Sequence, residues 1–347
     1  MLKLKRYFSL VMLACVGLSI AVWNTPAAAW KRGAVQTILL PAGVPMAEGL
    51  TVGPDGNVYV STFDPTGAYG PHAQVLEFDP QGHLLQQHVI QGSSSATLGV
   101  AFRPGTDTLM VIDFGRGTVM TVDPKTGNAA DCVIGPGPNA GLNAMTFDRS
   151  GNIYVSGSFT GAIYTNSNPN SICGSAKTWF SSTDLLGPSN GIPPFGANGV
   201  EFNKAQTAMF VANTAMDWIV KIEVSGGQPG NAAVFTNSIN GCDGIAVDDN
   251  DNLWVAANQA DEMVVVDPTG KVIAKLGDFD GVRNGETNGL LFPASPAFSK
   301  DGQWLFVTNL ELDLTKIGLP QAVDSQWAAQ IQRHSIAKLR AKIPPVE

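Results

Sequence analysis

Four oxygen-bearing side chains, Glu48, Asn143, Asn198 and Asp243, each stand immediately before a short apolar run: Gly49-Leu50, Ala144-Met145, Gly199-Val200 and Gly244-Ile245. Two carboxylates and two amides are donors for a hard divalent cation, which takes about six to eight oxygens, with water or substrate completing the shell. Neither His nor Cys occupies these positions, which argues against zinc or copper. Any one of the four could serve as an ordinary turn residue ahead of a strand. What separates them from turn residues is a shared position in a repeat, because side chains at one phase of a closed repeat converge. One bound cation, Ca²⁺ by this donor set, is the expectation.

The repeat supplies the elements that position these residues. Segments beginning at Gly49, Gly99, Ala144, Gly199, Gly244 and Pro296 share one pattern: an apolar strand, a polar turn, then a second strand of β-branched and aromatic residues. The first five starts are separated by 50, 45, 55 and 45 residues. Turns such as Pro54-Asp55-Gly56-Asn57 suit hairpins. A second turn in most units, such as Asp79-Pro80-Gln81-Gly82 or Asp267-Pro268-Thr269-Gly270, marks a third and a fourth strand. Four strands per unit at this period predict an all-β, six-bladed β-propeller of four-stranded antiparallel blades. The sixth unit shows two clear strands, ending at Asn309, and then an irregular stretch. Pro320–Arg333 reads as a short helix with Val323, Trp327 and Ile331 on one face, and His334–Ile343 alternates as a strand. Ala34–Leu40 then supplies the missing fourth strand, so N- and C-terminal strands close the ring and remove its free edges.

In such a blade the start of the first strand and the end of the second share one face. One mouth of the central channel therefore gathers Glu48, Leu98, Asn143, Asn198, Asp243 and, by the same spacing, Ser295. Second-strand ends add Asp64, Asp113, Asn213, Asn258 and Asn309, with Phe63, Phe114, Phe159 and Trp218 as candidates for an apolar wall. Of the four histidines, His83 and His88 lie on an outer hairpin and no two are spaced to pair. His72, in the Phe63–Ala73 loop, is a secondary candidate for a general base.

The 347-residue chain has 38 Gly, 22 Pro, 14% charged residues and a net charge of −8, with no basic run after residue 6. That composition fits many short strands and excludes a nucleic-acid footprint. Lys3, Lys5 and Arg6, an apolar run from Tyr7 to Val22, and Pro26-Ala27-Ala28-Ala29 make residues 1–29 a cleavable signal peptide. Residues 30–347 then form one exported domain, periplasmic or extracellular, with no membrane span after cleavage. In an oxidising compartment Cys132, Cys173 and Cys242 allow one internal disulfide, with Cys132–Cys173 the favoured pair, or three buried thiols.

Glu48-Gly49-Leu50, Asn198-Gly199-Val200-Glu201-Phe202 and Asp243-Gly244-Ile245-Ala246-Val247-Asp248 resemble the signature segments of the senescence marker protein/gluconolactonase/luciferin-regenerating family. The resemblance spans the chain after residue 29. It implies a calcium-dependent six-bladed propeller whose metal is held by Glu48, Asn198 and Asp243, with Asn143 on metal or substrate. It also implies hydrolysis of lactones or related esters, with Asp243 as catalytic base or nucleophile. Gly141-Leu142-Asn143-Ala144 departs from the family's Asn-Asp-Gly step, and Asn288-Gly289-Leu290 mimics the motif out of phase. The alternative is a non-catalytic calcium-binding propeller that binds a sugar, peptide or protein partner.

Overall fold

A computed structural model describes residues 32–166, 171, 173–188, 190, 194–322 and 324–344; the segment read as a signal peptide, residues 1–29, lies outside them. Nearly all regular structure is antiparallel β. Strand β1 (Val35–Leu39) precedes four consecutive strands β2–β5 (Met46–Val52, Val58–Phe63, Gln74–Phe78, Leu84–Val89) that form one sheet. Next come β6–β9 (Thr97–Phe102, Leu109–Asp113, Thr118–Val122, Ala129–Ile134) and β10–β13 (Leu142–Phe147, Ile153–Gly157, Ala162–Asn166, Gly174–Ser181). These two sets join into one eight-stranded sheet through a short parallel contact, Gly174 beside Val133 and Ser175 beside Ile134. Strands β14–β17 (Ala197–Phe202, Ala208–Asn213, Trp218–Ser225, Gln228–Asn237) and β18–β21 (Cys242–Val247, Leu253–Ala257, Glu262–Val266, Val272–Leu276) form two further sheets. A two-stranded hairpin, β22–β23 (Phe279–Arg283, Glu286–Gly289), was not expected from the repeat.

The last four-stranded sheet runs β1–β26–β25–β24, with β24 Pro293–Phe298, β25 Trp304–Asn309 and β26 Ser335–Arg340. Val35 through Leu39 pair with Leu339 through Ser335, so the early strand supplies the missing place, as read from the sequence. First strands touch in cyclic order: β2 lies against β6, β6 against β10, β10 against β14, β14 against β18, β18 against β24, and β24 against β2.

Apolar residues fill the spaces between neighbouring sheets. Leu50, Val58 and Leu76 meet Phe306 and Ile336 in one cluster, and Ile112 and Val119 meet Leu142, Ile153 and Val155 in another. Each large aliphatic side chain buried this way contributes roughly 1.5–3 kcal/mol. Both faces of the middle strands are covered, which explains why β7, β11, β15 and β19 are buried at every position. Cys132 and Cys173 form a disulfide beside the parallel contact, tying β9 to the start of β13, and Cys242 is a buried free thiol.

The helix expected over Pro320–Arg333 shrinks to one turn, α1 (Ser325–Ala328), and Val323 lies outside the described residues. Backbone competition accounts for this: the Gln332 and Arg333 N–H groups donate to the Gly285 carbonyl of the β22–β23 turn instead of continuing a helix. Trp327 packs edge-on against Phe279 of that hairpin, ring centroids 5.6 Å apart. Among the described residues no helix is long and apolar enough to cross a membrane.

Candidate metal centre

Every first strand carries one β-bulge at the same place. Ala47 pairs with Thr62 and Leu50 with Val60, so three steps along β2 span two along β3. The same jump falls between Thr97 and Val100, Leu142 and Met145, Ala197 and Val200, Cys242 and Ile245, and Pro293 and Pro296. A bulge adds a residue and re-aims side chains off the pleat. The first residue inside each is Glu48, Leu98, Asn143, Asn198, Asp243 and Ala294. The sixth slot is therefore Ala294, and Ser295 lies one residue late, lining the opposite end of the ring's opening. The proline-containing start of β24 hid this phase.

Glycine after the slot answers a close approach between neighbouring strands. A Cβ on Gly49 would lie 2.1 Å from the Leu98 carbonyl oxygen, and one on Gly199 would lie 2.2 Å from that of Asp243. The carbonyls of Leu98, Asn143, Asp243 and Ala294 thus pack onto the glycine of the preceding first strand.

Glu48, Asn143, Asn198 and Asp243 are all buried and together line one cavity with about 30 Å³ of free space. A cavity needs only about 10–15 Å³ of such space for one water, so there is room for an ion with a water or two. Asn258 and Thr214 line it as well. The Asn143 side-chain amide donates to Ser158 Oγ at 3.2 Å, and Ser158 Oγ donates to the Ala197 carbonyl at 2.7 Å. Likewise Asn198 donates to Thr214 Oγ1 at 2.9 Å, and Thr214 donates to the Cys242 carbonyl at 2.8 Å. Asn258 Nδ2 donates to Asp243 Oδ2 at 3.1 Å. Each amide is thus tied through its nitrogen. Among the described residues, Glu48 Oε2, Asn143 Oδ1 and Asn258 Oδ1 are buried acceptors without a hydrogen-bond donor.

Electrostatics point the same way. Burial, and then the neighbouring Asp243 carboxylate, push the Glu48 carboxyl well above its usual range. Burial raises Asp243 too, against the opposing hydrogen bonds from Asn258, Asn198 and the Gly244 backbone. Among the described residues neither carboxylate is paired with a cationic side chain. Nor do the described residues include a group of three or more His, Cys, Asp and Glu that could hold a metal. Orphaned acceptors beside two destabilised carboxylates fit an oxygen-seeking cation.

Other expected residues disperse. Asp64 accepts from the backbone of Thr66 and Tyr69, Asp113 from the Ser94 and Arg116 backbones, and Asn213 donates to the Asp184 and Leu186 carbonyls. These side chains, and Asn309, hold loops outside the cavity. His72 is exposed, with Nδ1 2.5 Å from the Ser93 carbonyl, and does not line the cavity. Trp218 donates to the Asp184 carbonyl and is also absent from the wall, whereas Phe63 and Phe114 line it. Asn288 belongs to the β22–β23 hairpin, outside the cavity as its phase indicated. Sequence reasoning missed Ser158 and Thr214, although a hydrogen-bonding partner recurs 15, 16 and 15 residues after Asn143, Asn198 and Asp243. A buried pair, His334 Nδ1 and Glu311 Oε2 at 2.6 Å, also went unseen.

A cyclic array of four-stranded antiparallel units around an oxygen-lined centre defines a propeller-like protein. Its region 135–277 matches the family model "SMP-30/Gluconolactonase/LRE-like region", the family whose motifs the chain resembles, and this stretch includes Asn143, Asn198 and Asp243. A search of curated proteins gave no match. Among solved structures, a calcium-binding protein, regucalcin, from Agrobacterium tumefaciens is 18% identical with a TM-score of 0.61, covering 89% of this chain and 93% of its own. A gluconolactonase from Xanthomonas campestris is 15% identical with a TM-score of 0.60, covering 91% and 92%. A streptogramin B lyase is 12% identical with a TM-score of 0.58, covering 90% and 99%. At these identities the likeness is one of fold, and it spans proteins named for different chemistries.

Proposed function

We propose that the chain is an exported, six-bladed, calcium-dependent hydrolase of lactones or related esters. The observation that carries this reading is the convergence of Glu48, Asn143, Asn198 and Asp243 on one ion-sized cavity with acceptor oxygens left unpartnered. In the blade count, β6–β9 and β10–β13 are two blades bridged at their outer edge. Export is supported by the basic-apolar-small pattern of residues 1–29 and by the Cys132–Cys173 disulfide, which suits an oxidising compartment.

Glu48, Asn143, Asn198 and Asp243 would hold the cation, with Asn258 close enough to contribute an oxygen. Bound there, a divalent cation supplies Lewis acidity toward a carbonyl oxygen. Asp243 takes a proton from the attacking water and returns it to the leaving alkoxide. The carbonyl carbon gains the water oxygen as its bond to the ring or ester oxygen breaks. Asn258 and Asn198 orient that carboxylate, and the aromatic side chains above it exclude bulk water. Regucalcin and gluconolactonase, as named neighbours, support a cation and a lactone respectively.

A second reading, a calcium-binding propeller without turnover, is favoured by the size of the cavity, which admits an ion but not a substrate unless its roof moves. The deciding experiment is hydrolysis of aldonolactones, acyl lactones and aryl esters by the chain lacking residues 1–29, with and without chelator. Turnover should be metal-dependent and fall by about 10²-fold or more in Asp243→Asn and Glu48→Gln. Calcium should raise the melting temperature of the wild type and much less that of Asp243→Ala. A protein with no divalent metal by elemental analysis, and a melting temperature indifferent to calcium, would refute the site.

A further inference from the structure

The oxygen donors occupy only the floor of the cavity. Apart from them and Thr214, whose hydroxyl is committed to the Cys242 carbonyl, its lining is hydrocarbon, including Phe63, Phe114, Phe195, Phe292, Leu312 and Leu314. Phe63 and Phe292 are buried and fixed. Phe114 and Phe195 are half-buried and lie outside the strands, in the connections after β7 and before β14. Phe159, in the turn after β11, stacks on Phe195 with ring centroids 5.5 Å apart and stays 42% exposed. Phe114 touches both edge-on, at 6.1 and 6.5 Å. Gly141 makes room for this arrangement, since a Cβ there would lie 2.6 Å from the Phe159 ring. An aromatic side chain this exposed adds little to the fold, whereas a cluster of three rings beside a polar floor is a surface for an apolar ligand.

We propose that the ligand is a lactone or ester with an alkyl or aryl side chain and few hydroxyls. Its carbonyl faces the oxygen-lined floor and its chain enters among Phe114, Phe159 and Phe195. The reacting group rests on the hydrolase reading; the apolar chain rests on the roof alone. A polyhydroxylated lactone fits this lining poorly. Its hydroxyls would leave water for a wall offering no charged group and no uncommitted donor beyond those around the ion, and unpaired burial of polar groups costs affinity. Entry requires the three loop-borne rings to part, and an apolar chain then replaces ring-ring contacts with its own.

The test uses calcium-loaded protein and a series of γ-alkyl-γ-butyrolactones from ethyl to octyl, with glucono-δ-lactone as the hydroxylated comparison. Hydrolysis is followed by pH-stat. Binding is measured independently by calorimetry with the matching γ-alkyl-γ-butyrolactams, which resist turnover. Both kcat/KM and lactam affinity should rise about two- to fourfold per methylene that enters the roof. Phe159→Ser, a change at an exposed position, should flatten both slopes. Preference for glucono-δ-lactone, with no dependence on chain length, overturns the apolar assignment and leaves the hydrolase reading standing. Lactam binding that tightens with chain length, with no lactone turned over, upholds the apolar assignment and removes the hydrolase reading. Absence of both binding and turnover overturns the assignment.

Discussion

Glu201 shares strand β14 with Asn198 yet lines a separate cavity of about 500 Å³ at the opposite end of the ring's opening. Its Oε1 accepts from Thr146 Oγ1 at 2.7 Å and from the Phe202 N–H at 2.8 Å. Burial nonetheless outweighs these bonds and Lys204, raising the carboxyl from 4.5 to about 7. A raised carboxyl means the folded chain holds a proton that the unfolded chain has released between those values. This group's contribution is therefore most favourable at low pH and is lost as pH climbs from about 4.5 through 7. Glu201→Gln should remove that fall, gaining up to about 3 kcal/mol on wild type between pH 5 and 8. Urea denaturation at fixed calcium checks it, and a constant difference across the range would refute it. At this scale the four slot residues were legible because the repeat numbers them. The hydroxyls of Ser158 and Thr214 were not, because Ser and Thr are common after strands and only the hydrogen bonds show which ones orient an amide.

Among elements, the bulged first strand is the working unit, and its glycine is the feature most exposed to test. Gly199→Ala would place a methyl against the Asp243 carbonyl, on backbone that cannot rotate away as a side chain would. Overpacking of this kind costs about 1–3 kcal/mol. The expected outcome is a lower melting temperature together with weakened calcium affinity, because the displaced carbonyl belongs to a proposed ligand. Equilibrium unfolding and calcium titration of the variant measure the two effects, and an unchanged calcium affinity would separate Gly199 from the site. Strand pattern and period placed all six first strands in the sequence, with only the slot of the sixth out of place. The bulge did not show, because an extra residue in an apolar run leaves the alternation ambiguous. That is why Ser295 rather than Ala294 looked like the sixth slot. The β22–β23 hairpin stands outside the repeat, and it captures the N–H groups of Gln332 and Arg333, so the pattern alone overstated the helix before β26.

At the scale of the molecule, two devices tie sheets together: a disulfide between neighbouring strand sets and a strand pairing between the two ends of the fold. Cys132–Cys173 joins two sets of strands across a sequence separation of 41 residues, and a loop of that size gives a disulfide worth about 2–4 kcal/mol. The other device is β26, which pairs with β1 on one side and β25 on the other. Ile336, Ala337 and Leu339 of β26 are essentially fully buried, and Ser335 bonds to Glu311, which also holds His334. Losing Ile336 and Leu339 alone removes roughly 3–6 kcal/mol of apolar burial. Total stability is only about 5–15 kcal/mol, and the loss would also expose edges on β1 and β25. A chain ending before residue 334 is therefore expected to aggregate or to melt far below the wild type, whereas one ending at residue 342 should fold. Replacing Cys132 and Cys173 by Ser in the full chain should cost only the smaller amount and leave calcium binding intact, since neither lines the cavity. Thermal melts of the three variants, each with and without calcium, rank these contributions. A truncated chain that melts with the wild type would mean that β1 and β26 do not hold the ring.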